Sequence, residues 1–243
     1  MAKTAKRRPA GSGRRTRTPP RVFLLSPANC GGIRAQMMVS PNARFALARQ
    51  LQSADGAPLG DVFSFVSGLY FRGKLAYAKR FTRPPDPADP VAAGGVLVIT
   101  SNAGLRGADT PVTTESFRGF AAGEIDLRNA SYRAPLERSA IALRDAVGPD
   151  CEVVLLGSVA SGKYVDLLLP IFEERLMFPP DFVGRGDMSR GGLMLRCVMA
   201  GFELPYVPIA GASRHGQRPP KLEPLRSHRT IQNTKNTKAT KDS

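Results

Sequence analysis

Two glycine-rich stretches hold the residue types that could do chemistry in this chain. Gly157-Ser158-Val159-Ala160-Ser161-Gly162-Lys163 follows the apolar run Val153-Val154-Leu155-Leu156, so two hydroxyls and an ammonium sit on a turn after a buried strand. Glycine lets backbone N–H groups approach an anion, and the lysine neutralises it. The spacing G-x-x-x-x-G-K is the first part of a P-loop, but Tyr164 stands where that loop needs the Ser or Thr that holds magnesium. The sequence therefore predicts an anion-binding turn made by Ser158, Ser161 and Lys163, and no ATP hydrolysis. Further on, Gly184 to Gly192 combines Arg185, Ser189 and Arg190 with Asp187. Paired arginines at a helix start make forks for phosphate. The same residues also suit a plain turn and helix cap.

Three other groups of polar residues fall at junctions. Ser26-Pro27-Ala28-Asn29-Cys30-Gly31-Gly32 ends a short apolar run, and Ser101 ends another, Gly95–Thr100. Ser26, Asn29 and Ser101 are candidate binding groups there. Tyr70-Phe71-Arg72-Gly73-Lys74 sets Arg72 and Lys74 beside aromatics, a pattern that holds a base by stacking and charge, although Tyr70 and Phe71 also fit a core. Cys30 sits in a glycine loop with no histidine near it in sequence. The two histidines, His215 and His228, lie near the C-terminus, so neither a metal centre nor any other cofactor is expected.

The elements that must position these residues alternate between strand and helix signals. Val22–Leu25, Val62–Val66, Gly95–Thr100 and Glu152–Leu156 read as strands. Helical spacing follows Ser40-Pro41, covers Leu75 to Phe81 and Pro135–Val147, and runs from Tyr164 to Met177 with Pro170 as a disturbance. A last helix is capped by Asp187 or Ser189 and ends at Gly201, before an edge strand over Leu204–Ile209. The predicted class is α/β: a single Rossmann-like domain with a mostly parallel sheet and a basic cleft at the C-terminal edge of its strands.

Charge divides the chain into three. Of the net +15, residues 1–21 carry +8 and residues 214–243 carry +6, which leaves +1 for 22–213. Both ends lack core-forming residues and read as disordered basic tails flanking an α/β domain at 22–213. Flexible basic arms bind polyanions by releasing counterions, or simply keep a protein in solution. No apolar run reaches the length of a membrane span, and three scattered cysteines suggest a reducing cytoplasm.

Four of these stretches, in order, resemble the peroxide-stress resistance family, the YaaA-like proteins. They are Ser26-Pro27-Ala28 after the first strand, Leu105-Arg106 after a later one, Ala160-Ser161 with Tyr164, and Arg185-Gly186-Asp187-Met188-Ser189-Arg190. Where that family has a lysine after Ser-Pro-Ala, this chain has Asn29. The resemblance implies one α/β domain with a basic cleft, DNA binding and protection against oxidative damage. Two functions follow as expectations. The first is a nucleic-acid binder, for DNA above all, in a stress or repair setting, with Lys163, Arg185 and Arg190 on phosphates. The second is an enzyme cleaving or transferring a glycosidic bond of a nucleotide or modified nucleobase, with Asp187 as its acid–base group.

Overall fold

The computed structural model describes residues 18–220 and Leu222. Among the described residues eight strands and eight α-helices follow one another: β1 (Arg21–Leu25), α1 (Ile33–Val39), α2 (Ala46–Gln52), β2 (Ala57–Pro58), α3 (Leu59–Ser67), α4 (Leu69–Phe81), β3 (Val96–Ile99), β4 (Leu105–Gly107), β5 (Pro111–Val112), α5 (Thr114–Ala122), α6 (Ala130–Val147), β6 (Glu152–Leu156), α7 (Gly162–Phe172), β7 (Leu176–Phe178), α8 (Asp187–Ala200) and β8 (Val207–Pro208). Six of the strands form one sheet in the order β4-β3-β1-β6-β7-β8, and β2 pairs with β5 apart from it. The four inner strands are parallel, while β4 and β8 close the two edges antiparallel.

Strand β1 is buried along its whole length, as the apolar sequence Val22-Phe23-Leu24-Leu25 requires of a central parallel strand. Its alternation sorts the core into two layers. Phe23 and Leu25 join Val96, Val98, Val154 and Leu156 on one face, under α1–α4 and α8. Val22 and Leu24 join Leu97, Ile99, Val153 and Leu155 on the other, under α6 and α7. Among the described residues no helix is long and apolar enough to cross a membrane.

Helices α4 and α8 pack on one another across glycines. A Cβ on Gly73 would lie 2.7 Å from the Gly191 carbonyl oxygen, and one on Gly191 would lie 2.9 Å from the Tyr70 Cα. Both clashes are with backbone, so only glycine permits this crossing. It brings together Lys74 and Arg190, the residues next to the two glycines.

The N-terminal edge of the sheet is tied by a charged network. The Arg21 guanidinium pairs with both Glu152 and Glu203, and Arg83 Nη2 reaches Glu203 at 3.1 Å. Tyr206 donates to Glu203 at 3.0 Å and meets the Tyr77 hydroxyl at 2.6 Å. Arg21 is therefore a buried strand residue, not the end of a tail, and the folded region begins before Val22. The predicted tails otherwise fall on residues 1–17, 221 and 223–243, outside the described residues, and on 18–20, 214–220 and 222, which form no regular element.

The α/β class and the mostly parallel sheet follow the sequence expectation, with several local corrections. Val62–Val66 is part of helix α3, because Leu59, Val62 and Phe63 share one buried face at helical spacing. Helix α1 fills the stretch between the glycine loop and Ser40, strand β4 begins in the polar turn after β3, and Leu176–Phe178 is a strand instead of the end of a helix. Helix α7 stops at Phe172, where Glu173 takes a positive φ of 54°. Helix α4 starts at Leu69, ahead of Lys74, and Gly186 is the N-cap of α8 in place of Asp187 or Ser189. The edge strand near Pro208 is present as β8.

Candidate functional site

The connection after β1 runs to helices on one face of the sheet, and the connection after β6 runs to α7 on the other. Adjacent parallel strands whose connections diverge leave a crevice beyond their C-terminal ends, where open α/β sheets place ligands. Here those ends are Ser26 and Gly157. The Ser26 N–H donates to the Leu156 carbonyl at 3.2 Å, and a Cβ at Gly157 would sit 2.9 Å from the Ser26 Cβ. Gly157 thus keeps the serine's flank clear.

Beneath this step lies a buried polar cluster. Lys74 is fully buried, and its Nζ donates to the Ser26 carbonyl at 2.5 Å and to Ser26 Oγ at 2.9 Å. The amine also rests over the rings of Tyr70, 4.4 Å from the centroid, and Phe71, at 4.7 Å. Burial pushes the Lys74 amine down to about 7, helped by the Arg190 guanidinium and opposed by Asp187. Burial holds the Tyr70 pKa up, while the nearby Arg190 guanidinium and Ser26 hydroxyl pull it down. Yet no donor or acceptor is placed to complete a hydrogen bond with it. A buried hydroxyl in that state costs free energy unless something arrives to pair with it.

Arg190, also buried, is largely spent within the fold. Its Nε and Nη2 donate to the Phe182 carbonyl at 3.1 and 2.9 Å, and Nη1 lies 3.5 Å from Asp187 Oδ1. Asp187 opens α8, where the helix dipole favours a carboxylate, and its side chain is 67% exposed.

Next to the cluster a cleft of about 460 Å³ is lined by Pro27 to Gly31, Phe120, Ala121, Gly123 to Asp126, Lys163 and Tyr164. Tyr164 belongs to both: it lines the cleft, and Tyr70 and Asp187 act on its phenol, which burial raises to about 12. The cleft is mixed in charge. Lys163 is exposed and faces Asp126, which Arg128 holds down to about 2, so the expected basic cleft carries acid as well as base at this point. The Cys30 thiol is pushed up to about 12 by burial and is no thiolate. Among the described residues no group of three or more His, Cys, Asp and Glu could hold a metal ion.

The residues singled out in the sequence divide into three sets. Ser26, Lys74, Arg190 and Asp187 converge on the cluster. Asn29 and Lys163 line the cleft, and Ser158 and Ser161 lie on the turn between Gly157 and α7. Ser161 is the N-cap of α7 without bonding to it. The remainder go elsewhere. Arg72 is exposed on another side of α4 from Lys74, beside Arg34 and Phe65. Ser101 donates to the Phe120 carbonyl at 2.8 Å and is buried structure. Arg185 ties Asp181, Ser189 and Pro220 together through hydrogen bonds of 3.0, 3.2 and 3.4 Å. Two functional features are missed by the sequence reading: the unpaired state of the Tyr70 hydroxyl, and the glycine crossing that delivers Lys74 to Ser26. A Gly beside each of Lys74 and Arg190 is the one signal that pointed to it. No family model, curated protein or solved structure matches this chain.

Proposed function

We propose that this chain is an enzyme acting on a small anionic ligand of nucleotide class, seated over the C-terminal ends of β1 and β6 in a Rossmann-like sheet. The observation that carries this reading is the buried set of Ser26, Lys74 and Tyr70 at the divergence of the two strands. Burial brings its lysine down to titrate at about 7, and its tyrosine hydroxyl is unpaired. Proteins bury such groups where a ligand completes them. A cleft of about 460 Å³ suits a nucleoside or nucleotide. The uncapped start of α7 and Lys163 supply the pole for its negative charge. The test is a thermal-shift panel of nucleobases, nucleosides and nucleotides on the full chain. At least one should raise Tm, and the shift should shrink in Tyr70→Phe. A panel in which no compound moves Tm would remove this reading.

A second reading, DNA binding in an oxidative-stress setting, draws on one observation: the positive charge is concentrated at the two ends of the sequence. It also draws on the resemblance to the peroxide-stress family. DNA binding by residues 18–222 alone, set against the full chain, separates the two.

A further inference from the structure

We infer that Ser26 and Lys74 form a nucleophile–base pair for acyl transfer, with the Tyr70 hydroxyl as donor to the oxyanion. This deepens the enzyme reading and rests on it. The substrate class is a carboxylic ester or activated amide of a small anionic molecule.

Three observations carry the inference. Ser26 Oγ and Lys74 Nζ are 2.9 Å apart, and the lysine touches no water. A neutral amine in that place keeps one N–H on the Ser26 carbonyl and turns its lone pair to the Ser26 O–H, reversing the direction of the hydrogen bond. That is the arrangement by which a buried lysine activates a serine. The second observation is the Tyr70 hydroxyl, which is buried, unpaired and kept protonated by that burial, so it has a proton to give. It sits within reach of Ser26, where a carbonyl oxygen would gain charge. The third is the count of free donors. With Lys74 engaged by Ser26 and Arg190 bound to the Phe182 carbonyl, the cluster offers one unpaired donor and no free cation. One donor matches the single oxyanion of an attacked carbonyl better than the several charged oxygens of a phosphoryl group.

The step balances with water alone. Ser26 Oγ forms a bond to the carbonyl carbon as Lys74 takes its proton, and the bond to the leaving group breaks as Lys74 returns that proton to it. Water then attacks the acyl-serine by the reverse path and releases the acid. The groups that face Lys74 and set its protonation are Ser26 just after β1, Tyr70 and Phe71 on its own helix, and Asp187 and Arg190 from α8. Tyr164 of α7 adjoins them through Tyr70.

The experiment treats the full chain with diisopropyl fluorophosphate and with 4-nitrophenyl acetate, and maps the adduct by peptide mass spectrometry. One adduct should form on Ser26, at a rate that rises with pH and levels off above about 7. Lys74→Met should slow it by about 100-fold or more. Tyr70→Phe removes a single oxygen, and should slow release of 4-nitrophenol by about 100-fold while Tm holds. A native chain with no adduct on Ser26 overturns the pair, and so does labelling at the native rate in Lys74→Met. Should Lys74→Met not fold, a native rate that is flat with pH and unchanged in Tyr70→Phe overturns it as well. If a nucleotide raises Tm while Ser26 stays unlabelled, the ligand site stands and the acyl-transfer pair falls.

Discussion

An ammonium removed from water is favoured only as far as its neighbours repay the lost hydration, and for Lys74 they repay it in part. The amine titrates at about 7 in the fold against 10.5 for an ordinary lysine. Between those two values the unfolded chain holds a proton that the folded chain has lost. Folding is therefore favoured as pH rises through this window, and carries a constant penalty below it. The buried cysteines and tyrosines, whose pKa values are raised, act in the opposite sense above about pH 9. Comparison with Lys74→Met isolates the lysine. The Met variant should be the more stable at neutral pH, and its advantage should widen by up to about 1.4 kcal/mol per unit as pH falls from about 9 to 7. Urea unfolding at a series of pH values measures this. An advantage that does not vary with pH would mean that Lys74 keeps its proton in the fold.

At the scale of elements, the site depends on where α4 crosses α8. Gly191→Ala drives a Cβ into the Leu69 carbonyl at 2.8 Å and the Tyr70 Cα at 2.9 Å, and backbone cannot step aside as a side chain can. The substitution should cost about 1–3 kcal/mol in urea unfolding and disturb Lys74 and Arg190 together. Its neighbour is the control: a Cβ on Gly192 meets only the Leu222 side chain, at 3.6 Å, so Gly192→Ala should be neutral or stabilising by up to ~1 kcal/mol. Equal costs at both positions would show that the crossing is not what the glycines serve. This contrast also marks how far the sequence was legible. Strands β1, β3 and β6 are plain as apolar runs, and α8 is plain from the cap residues at its start and the Gly201 that ends it, which the structure shows left-handed. Short apolar runs are ambiguous between strand and helix, which is why α3 was misread. Ser26, Lys74 and Arg190 were identifiable by residue type. That Arg72 would diverge from Lys74 follows from two-residue spacing on a helix, once the helix is known to include both. The approach of Gly73 to Gly191 spans distant parts of the chain, and no local pattern encodes it.

For the whole molecule the question is where the charge acts. Residues 1–17 carry +7 and residues 223–243 carry +3, which leaves +5 for 18–222. A chain cut to 18–222 should keep a cooperative thermal transition, since it retains Arg21 and both core layers. It should also lose most of its affinity for DNA, with the slope of log affinity against log salt falling by several phosphates' worth. Undiminished binding by 18–222 would place the contact on the folded region and take away the charge distribution on which the second reading draws. Arg21 has one more consequence, in the order of events during synthesis. Its carboxylate partners lie 131 and 182 residues further along the chain, and β1 finds its two neighbouring strands only at Val96 and Glu152. The central strand is made first and completed last. Until the segment around Glu152 has left the ribosome, a strand of Arg21 and four apolar residues waits with at least one edge open, and the Arg21 guanidinium waits longer still for Glu203. Such non-local pairing makes folding slow and places its rate-limiting closure late in translation.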